Sequence, residues 1–177
     1  MATFRVDFLG CKVSHADVHE VRDALAVVVD PGRAFGTGSH PTTQLCLQFL
    51  QELDRGSLLD VGCGSGVLSI AAALLGFAPV VGVDIEGPSI EATLENARVN
   101  GVEVDARLTG LDDVLPAAAI VVANISLESV EALPGRLDAQ RLVTSGYLAS
   151  EQPRLAGFVH VERRSLGGWA SDLYTRT

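Results

Sequence analysis

The run "LLDVGCGSGVLSIA" sets three glycines at alternate positions, Gly62, Gly64 and Gly66, behind the acid Asp60. It reads as a strand, a turn and a helix start. Missing side chains let a ligand approach the backbone, and a helix N-terminus offers free N–H donors. Asp84 closes the next apolar run, "VVGVDI". A carboxylate about 20 residues beyond a glycine turn can accept both ribose hydroxyls of a nucleoside. The plain alternative is a turn or helix-cap aspartate, although Gly87 or Ser89 could open the next helix instead. Glu86 is the second candidate for the ribose. Asn124 ends a third apolar run, "AAIVVANISLES". An amide there can hold a substrate amine or the polar end of a cofactor. It can also simply cap the helix starting near Ser126.

The glycine spacing decides between two nucleotide chemistries. A dinucleotide turn wants its third glycine at position 67, which is Val67. The acid-x-Gly-x-Gly-x-Gly order resembles instead the first motif of S-adenosylmethionine-dependent methyltransferases. Ile125, Ser126 and Leu127 follow Asn124, so the clamp that methyltransferases use on a planar base or amide is not expected. A second glycine-rich stretch, "DPGRAFGTGSHPTT" at Asp30 to Thr43, lies just upstream.

The elements that hold these residues follow from periodicity. "FRVDFLG" alternates like a strand, "ADVHEVRDALA" has helical spacing, and "VVVDPG" reads as a short strand and turn. "PTTQLCLQFLQEL" is an amphipathic helix with Leu45, Phe49 and Leu53 on one face and Pro41 at its start. "SLLDVG", "PVVGVDI", "VEVDARL", "AAIVVANI" and "RLVTSGYL" are strands, with helices at "VLSIAAALLG" and "SIEATLENARVNG" between them. Strand–helix alternation predicts a parallel, doubly wound α/β sheet covered on both faces. "FVHVERRSL" and "GWASDLYTRT" alternate around a "GG" link, which predicts an antiparallel hairpin at one edge.

Bulk properties bound the partners. The net charge is -9 and the sequence pI about 4.8. Tracking phosphates needs Lys and Arg, so a nucleic-acid partner is not expected. An acidic surface suits a basic protein partner. No apolar run is long enough to span a membrane, and "MATFRVDFLG" lacks a signal-peptide layout, so a cytoplasmic protein is expected. Cys11, Cys46 and Cys63 are too few and scattered for a disulfide scaffold or a zinc site, and no metal is expected.

Taken together, "DPGRAFGTGSHPTTQLCLQFLQEL", "DVGCGSGVLSIAA", "GVDIEGPSIEATLENARVNG", "VVANI" and "SGYLASEQ" resemble the ribosomal protein methyltransferases that modify lysine and N-terminal amines of a large-subunit ribosomal protein. The resemblance covers about Val28 to Thr177 in order. It implies a class I S-adenosylmethionine-dependent methyltransferase (Rossmann-like) fold with S-adenosylmethionine as cofactor and S-adenosylhomocysteine as product. It implies cofactor contacts at Thr43, Gly62, Asp84 and Asn124, with Phe35, Gly36, Thr37, Gly38 and His40 lining the same pocket. Asp60, Gly64, Gly66 and Ile85 join the cofactor set, and Asn124 is also the catalytic candidate, orienting the amine. Members of that family carry a substantial N-terminal domain that grips the ribosomal protein. Fewer than thirty residues precede Val28, so the expectation is a short strand–helix segment at 1–27 and a catalytic domain at 28–177. The acceptor stays open between a ribosomal protein amine and a small-molecule amine. A non-catalytic relative that binds cofactor or protein is the remaining alternative. The opening "FLGCKVSHADVHEVRDAL" is similar to the start of radical methylthiotransferases that modify tRNA. Without a Cys-x3-Cys-x2-Cys run, no iron–sulfur cluster is expected at Cys11.

Overall fold

The computed structural model describes residues 4–7, 12–15, 26–30, 39–110 and 112–177. Three short strands, β1 (Phe4–Asp7), β2 (Lys12–His15) and β3 (Ala26–Val29), form an antiparallel sheet in the order β2-β1-β3. β2 is an addition to the sequence reading, because "KVSH" is too short to show a period. The helix expected at "ADVHEVRDALA" falls almost entirely outside the described residues, as does Cys11.

The main sheet has seven strands. β4 (Leu58–Val61), β5 (Val80–Asp84), β6 (Asp105–Leu108), β7 (Ile120–Asn124) and β8 (Arg141–Leu148) run parallel. β9 (Phe158–Leu166) and β10 (Trp169–Arg176) form the expected hairpin, and β10 pairs antiparallel with β8. The strand order is β6-β5-β4-β7-β8-β10-β9. From β4 the chain winds outward through β5 and β6, then returns to the other side of β4 for β7 and β8. The reversal makes a crevice at the carboxyl ends of β4 and β7, where open α/β sheets bind ligands.

Two apolar layers fix this sheet. On one face lie α1 (Pro41–Glu52), α2 (Val67–Leu74) and α3 (Gly87–Asn100). Phe49 and Leu50 of α1, with Ile70 and Ala71 of α2, pack there on Leu58, Ile120, Val143 and Leu173. On the other, Val130 of α4 (Leu127–Glu131), Leu133 and Leu137 cover Leu59, Val121, Leu142 and Tyr174. β4 and β7 are apolar on both faces because both faces are covered. Burying a side chain the size of Phe49 stabilises by about 1.5–3 kcal/mol.

The antiparallel end holds a buried charge. Asp172 of β10 has no solvent exposure. It accepts hydrogen bonds from Arg163 Nε (2.9 Å) and Nη2 (2.8 Å) and from the Tyr147 hydroxyl (2.8 Å), and His160 Nε2 lies at 2.7 Å. Burial opposes the charge, but Arg163, Tyr147 and His160 together hold its carboxyl below the usual range. Arg163 also donates to the Ala149 and Glu151 carbonyls, so the same cluster anchors the loop after β8. Asp172→Asn keeps the volume and breaks the ion pair. It is expected to lower stability by about 3 kcal/mol in urea unfolding, because an uncompensated Arg163 remains partly buried. A loss below the range of a surface pair would show that the cluster is not structural.

Candidate active site

The glycine turn between β4 and α2 is held by its neighbours' backbone. Gly62 and Cys63 N–H both donate to Val83 O at the end of β5, at 2.8 and 3.1 Å. Gly64 N–H donates to Asp84 Oδ2 at 3.0 Å, and Glu86 N–H to Asp84 Oδ1 at 3.0 Å. Asp84 therefore braces the turn and also makes a local turn of its own. Gly62, Gly64 and Gly66 all have positive φ, which side chains rarely adopt. A Cβ on Gly62 would lie 2.4 Å from Ile125 Cγ2, so the turn also sits tightly against the loop after β7.

Thr43 and Asn124 come together across that crevice. Thr43 lies in the first turn of α1 and is buried; the Asn124 side-chain amide donates to its hydroxyl at 3.4 Å. The position of Asn124 is set from β8. Ile125 N–H donates to Ser145 O at 3.0 Å, and a Cβ on Gly146 would lie 2.1 Å from Ile125 O. A glycine within a strand signals a bulge or a close approach, and the β8–β10 register does shift at this point. Ser126, not Asn124, caps α4 by accepting from Ser129 N–H.

His40 has a local duty. It is the N-cap of α1, its Nδ1 accepting from Thr42 N–H, and it is exposed. Its ring meets Trp169 edge-on at 4.8 Å. Trp169 pairs laterally with Leu148 and Leu166, so the three share one face of the sheet. That apolar row beside the start of α1 was not singled out in the sequence. Ile85, next to Asp84, is 59% exposed. Phe35, Gly36, Thr37 and Gly38 lie outside the described residues.

Residues 7–161 match the family described as "Ribosomal protein L11 methyltransferase (PrmA)". The chain belongs to the ribosomal protein L11 methyltransferase family. A relative of that name from Bordetella parapertussis is 49% identical over 131 residues, 72% of this chain and 41% of its own. A solved structure of ribosomal protein L11 methylase from Lactobacillus delbrueckii subsp. bulgaricus superposes with a TM-score of 0.75 at 30% identity, covering 84% of each chain. Magnesium protoporphyrin IX methyltransferase from Synechocystis, solved with bound S-adenosylmethionine, gives 0.53 at 20% identity over 68% of this chain. At that identity the likeness shows the fold alone. The fold is that of class I S-adenosylmethionine-dependent methyltransferases, as the motif order implied. The chain spans about half the length of the curated family members it matches, from 41% to 57%. Among the described residues, no helix is long and apolar enough to cross a membrane.

Beneath the glycine turn, Asp60 is 1% exposed and accepts the Ser69 hydroxyl at 2.6 Å. Burial pushes its carboxyl up to about 6, with Asp84 nearby adding to the effect. Buried Cys63, between Gly62 and Gly64 in the turn, is pushed up to about 12 by the same desolvation and stays a thiol. Asp60 has a sharp consequence for stability. Between the ordinary value of about 3.9 and the raised one, the folded chain holds a proton that the unfolded chain has lost. Its contribution is therefore fully present at the acid end of that window and is lost as pH rises through it, on the order of 3 kcal/mol in all. Asp60→Asn is expected to remove this slope. Urea unfolding of both proteins across the window tests it, and parallel pH profiles would sink the assignment.

Proposed function

We propose that this chain is the catalytic module of an S-adenosylmethionine-dependent methyltransferase acting on an amine, a lysine or the N-terminal amine of a ribosomal protein. The observation that carries this reading is the meeting of Thr43 and Asn124 beside the glycine turn at the sheet's reversal point, in a chain of this family.

The residues fit the cofactor. The turn is a cradle whose glycine backbone leaves no room for a side chain at Gly62. Each Asp84 oxygen takes one backbone N–H, and a carboxylate oxygen has a further lone pair for a ribose hydroxyl. Exposed Ile85 offers a flat apolar face next to that carboxylate for a purine ring. Gly62, Gly64 and Gly66, whose own N–H groups are engaged within the turn, let the amino-acid end approach the main chain above Asp60, and the first turn of α2 offers helix N-terminal donors. His40 and Thr43 line the remaining side in this reading.

When bound, S-adenosylmethionine supplies a methyl group on a positively charged sulfur. The chain's own task is to present an amine lone pair. A lysine amine ionises near 10.4 in water, so it must shed a proton, and burial beside positive charge favours the neutral form. Thr43 Oγ1 takes the Asn124 amide hydrogen, which leaves the Asn124 carbonyl oxygen free to accept an amine N–H. Trp169, with Leu148 and Leu166, offers an apolar row beside the start of α1 on which the approaching side chain can rest. Rate then comes mainly from alignment, where small misplacements cost about 10²-fold.

Asp84→Ala is expected to abolish measurable S-adenosylmethionine binding by calorimetry. Asn124→Ala is expected to keep binding within a few-fold but to lose about 10²-fold in labelled methyl transfer to a purified large-subunit ribosomal protein. Label recovered only in a low-mass fraction of a bacterial lysate would instead make the acceptor a small-molecule amine. Cofactor binding without any labelled product would make the chain a non-catalytic relative.

A further inference from the structure

α3 reverses the usual pattern of a helix laid on a sheet. Of its four buried residues, Ser89, Thr93 and Asn96 are polar and only Ala97 is apolar, whereas Leu94 and Val99 point outward, about half exposed. Burying polar groups is costly unless each finds a partner. Here the partners of Thr93 and Asn96 are the backbone of the glycine turn and of β3. The Thr93 hydroxyl donates to Gly64 O at 3.1 Å. Asn96 Nδ2 donates to Ser65 O at 2.8 Å and to Asp30 O at 2.9 Å, and its Oδ1 accepts Asp30 N–H at 3.0 Å. One turn later, Asn100 Oδ1 accepts Val28 N–H at 2.9 Å and its Nδ2 donates to Val28 O at 2.7 Å.

The two amides thus clasp alternate residues of the β3 segment as a neighbouring strand would. Only Asn96 also reaches the glycine turn. We propose that Asn96 is a positioning residue for the cofactor site: it locks the Ser65 peptide, and with it the start of α2, onto the end of the β3 segment. This rests on the cofactor reading above. Ser65 precedes Gly66, the left-handed N-cap of α2. The direction of the Ser65 peptide therefore sets how the first turn of α2 meets the turn that approaches the ligand. Asn96 has both of its N–H donors and its carbonyl oxygen engaged, so its amide plane is fixed, and no water is needed to complete it.

Asn100 supplies an internal control, since it holds the same strand without touching the turn. Asn96→Asp keeps the volume and an acceptor but loses both donated bonds; Asn100→Asp likewise loses its donated bonds, to Val28 O and to Asn96 O. Both variants are expected to lower the urea midpoint. Asn96→Asp is expected to weaken S-adenosylmethionine binding by at least about tenfold in calorimetry, and Asn100→Asp by less than about twofold. Equal weakening in the two, or none in Asn96→Asp, overturns the proposal. If Asn96→Asp does not fold, hydrogen exchange on the wild-type chain decides. Coupling is reciprocal, so the cofactor should slow exchange of the Asp30 N–H together with those of Cys63 to Gly66. Protection of the turn alone overturns the role of Asn96. A wild-type chain that binds no S-adenosylmethionine defeats the cofactor reading itself and takes this inference with it.

Discussion

At the carboxyl edge of the sheet, main chain has to pass against neighbouring atoms with no side chain between. A Cβ on Gly62 would meet Ile125 at 2.4 Å, one on Gly66 would meet Thr93 at 2.9 Å, and one on Gly146 would strike the Ile125 carbonyl at 2.1 Å. These three approaches set the positions of the turn, of α3 and of the loop carrying Asn124. At Gly146 the approach is backbone against backbone, which cannot change rotamer to accommodate an added atom, whereas at Gly62 and Gly66 the nearest atoms belong to the side chains of Ile125 and Thr93. Thr43 and Asn124 can then face each other across the crevice although they lie 81 residues apart.

Polar groups in the interior do the fine adjustment. Asp60 and Asp172 are both essentially without solvent, yet their surroundings act in opposite directions. Asp60 has one hydroxyl partner besides its neighbour's backbone and an acid nearby, so burial wins and its proton is held more tightly. Asp172 meets a guanidinium, an imidazole and a phenol, so the partners win and the charge is retained. The first sits under the glycine turn; the second ties β8, β9 and β10 together and anchors the loop after β8. Neutralising a cation's partner costs more than the pair itself contributes, since the orphaned charge stays partly buried.

Much of the architecture is legible in local pattern. β4, β5 and β7 read as apolar runs because parallel strands are covered on both faces. α1 reads from its spacing and Pro41, and the C-terminal hairpin from alternation around Gly167 and Gly168. β2 escaped because four residues show no period. Asp172 escaped for another reason: in an alternating strand, a polar residue is read as solvent-facing, and only the packing of Tyr147, His160 and Arg163 around it reverses that. Asn96 and Asn100 would be taken for the wet side of a helix by the same logic.

The chain's own letters determined the order of elements, the glycine turn behind Asp60, the carboxylate at Asp84 and the amide at Asn124, because each depends on a few neighbouring residues. Which partners these groups meet was decided only by the tertiary structure. The pairing of Asp30 with Asn96 spans 66 residues, and that of Thr43 with Asn124 spans 81. Such contacts follow from strand order and close backbone approach, which no local period encodes.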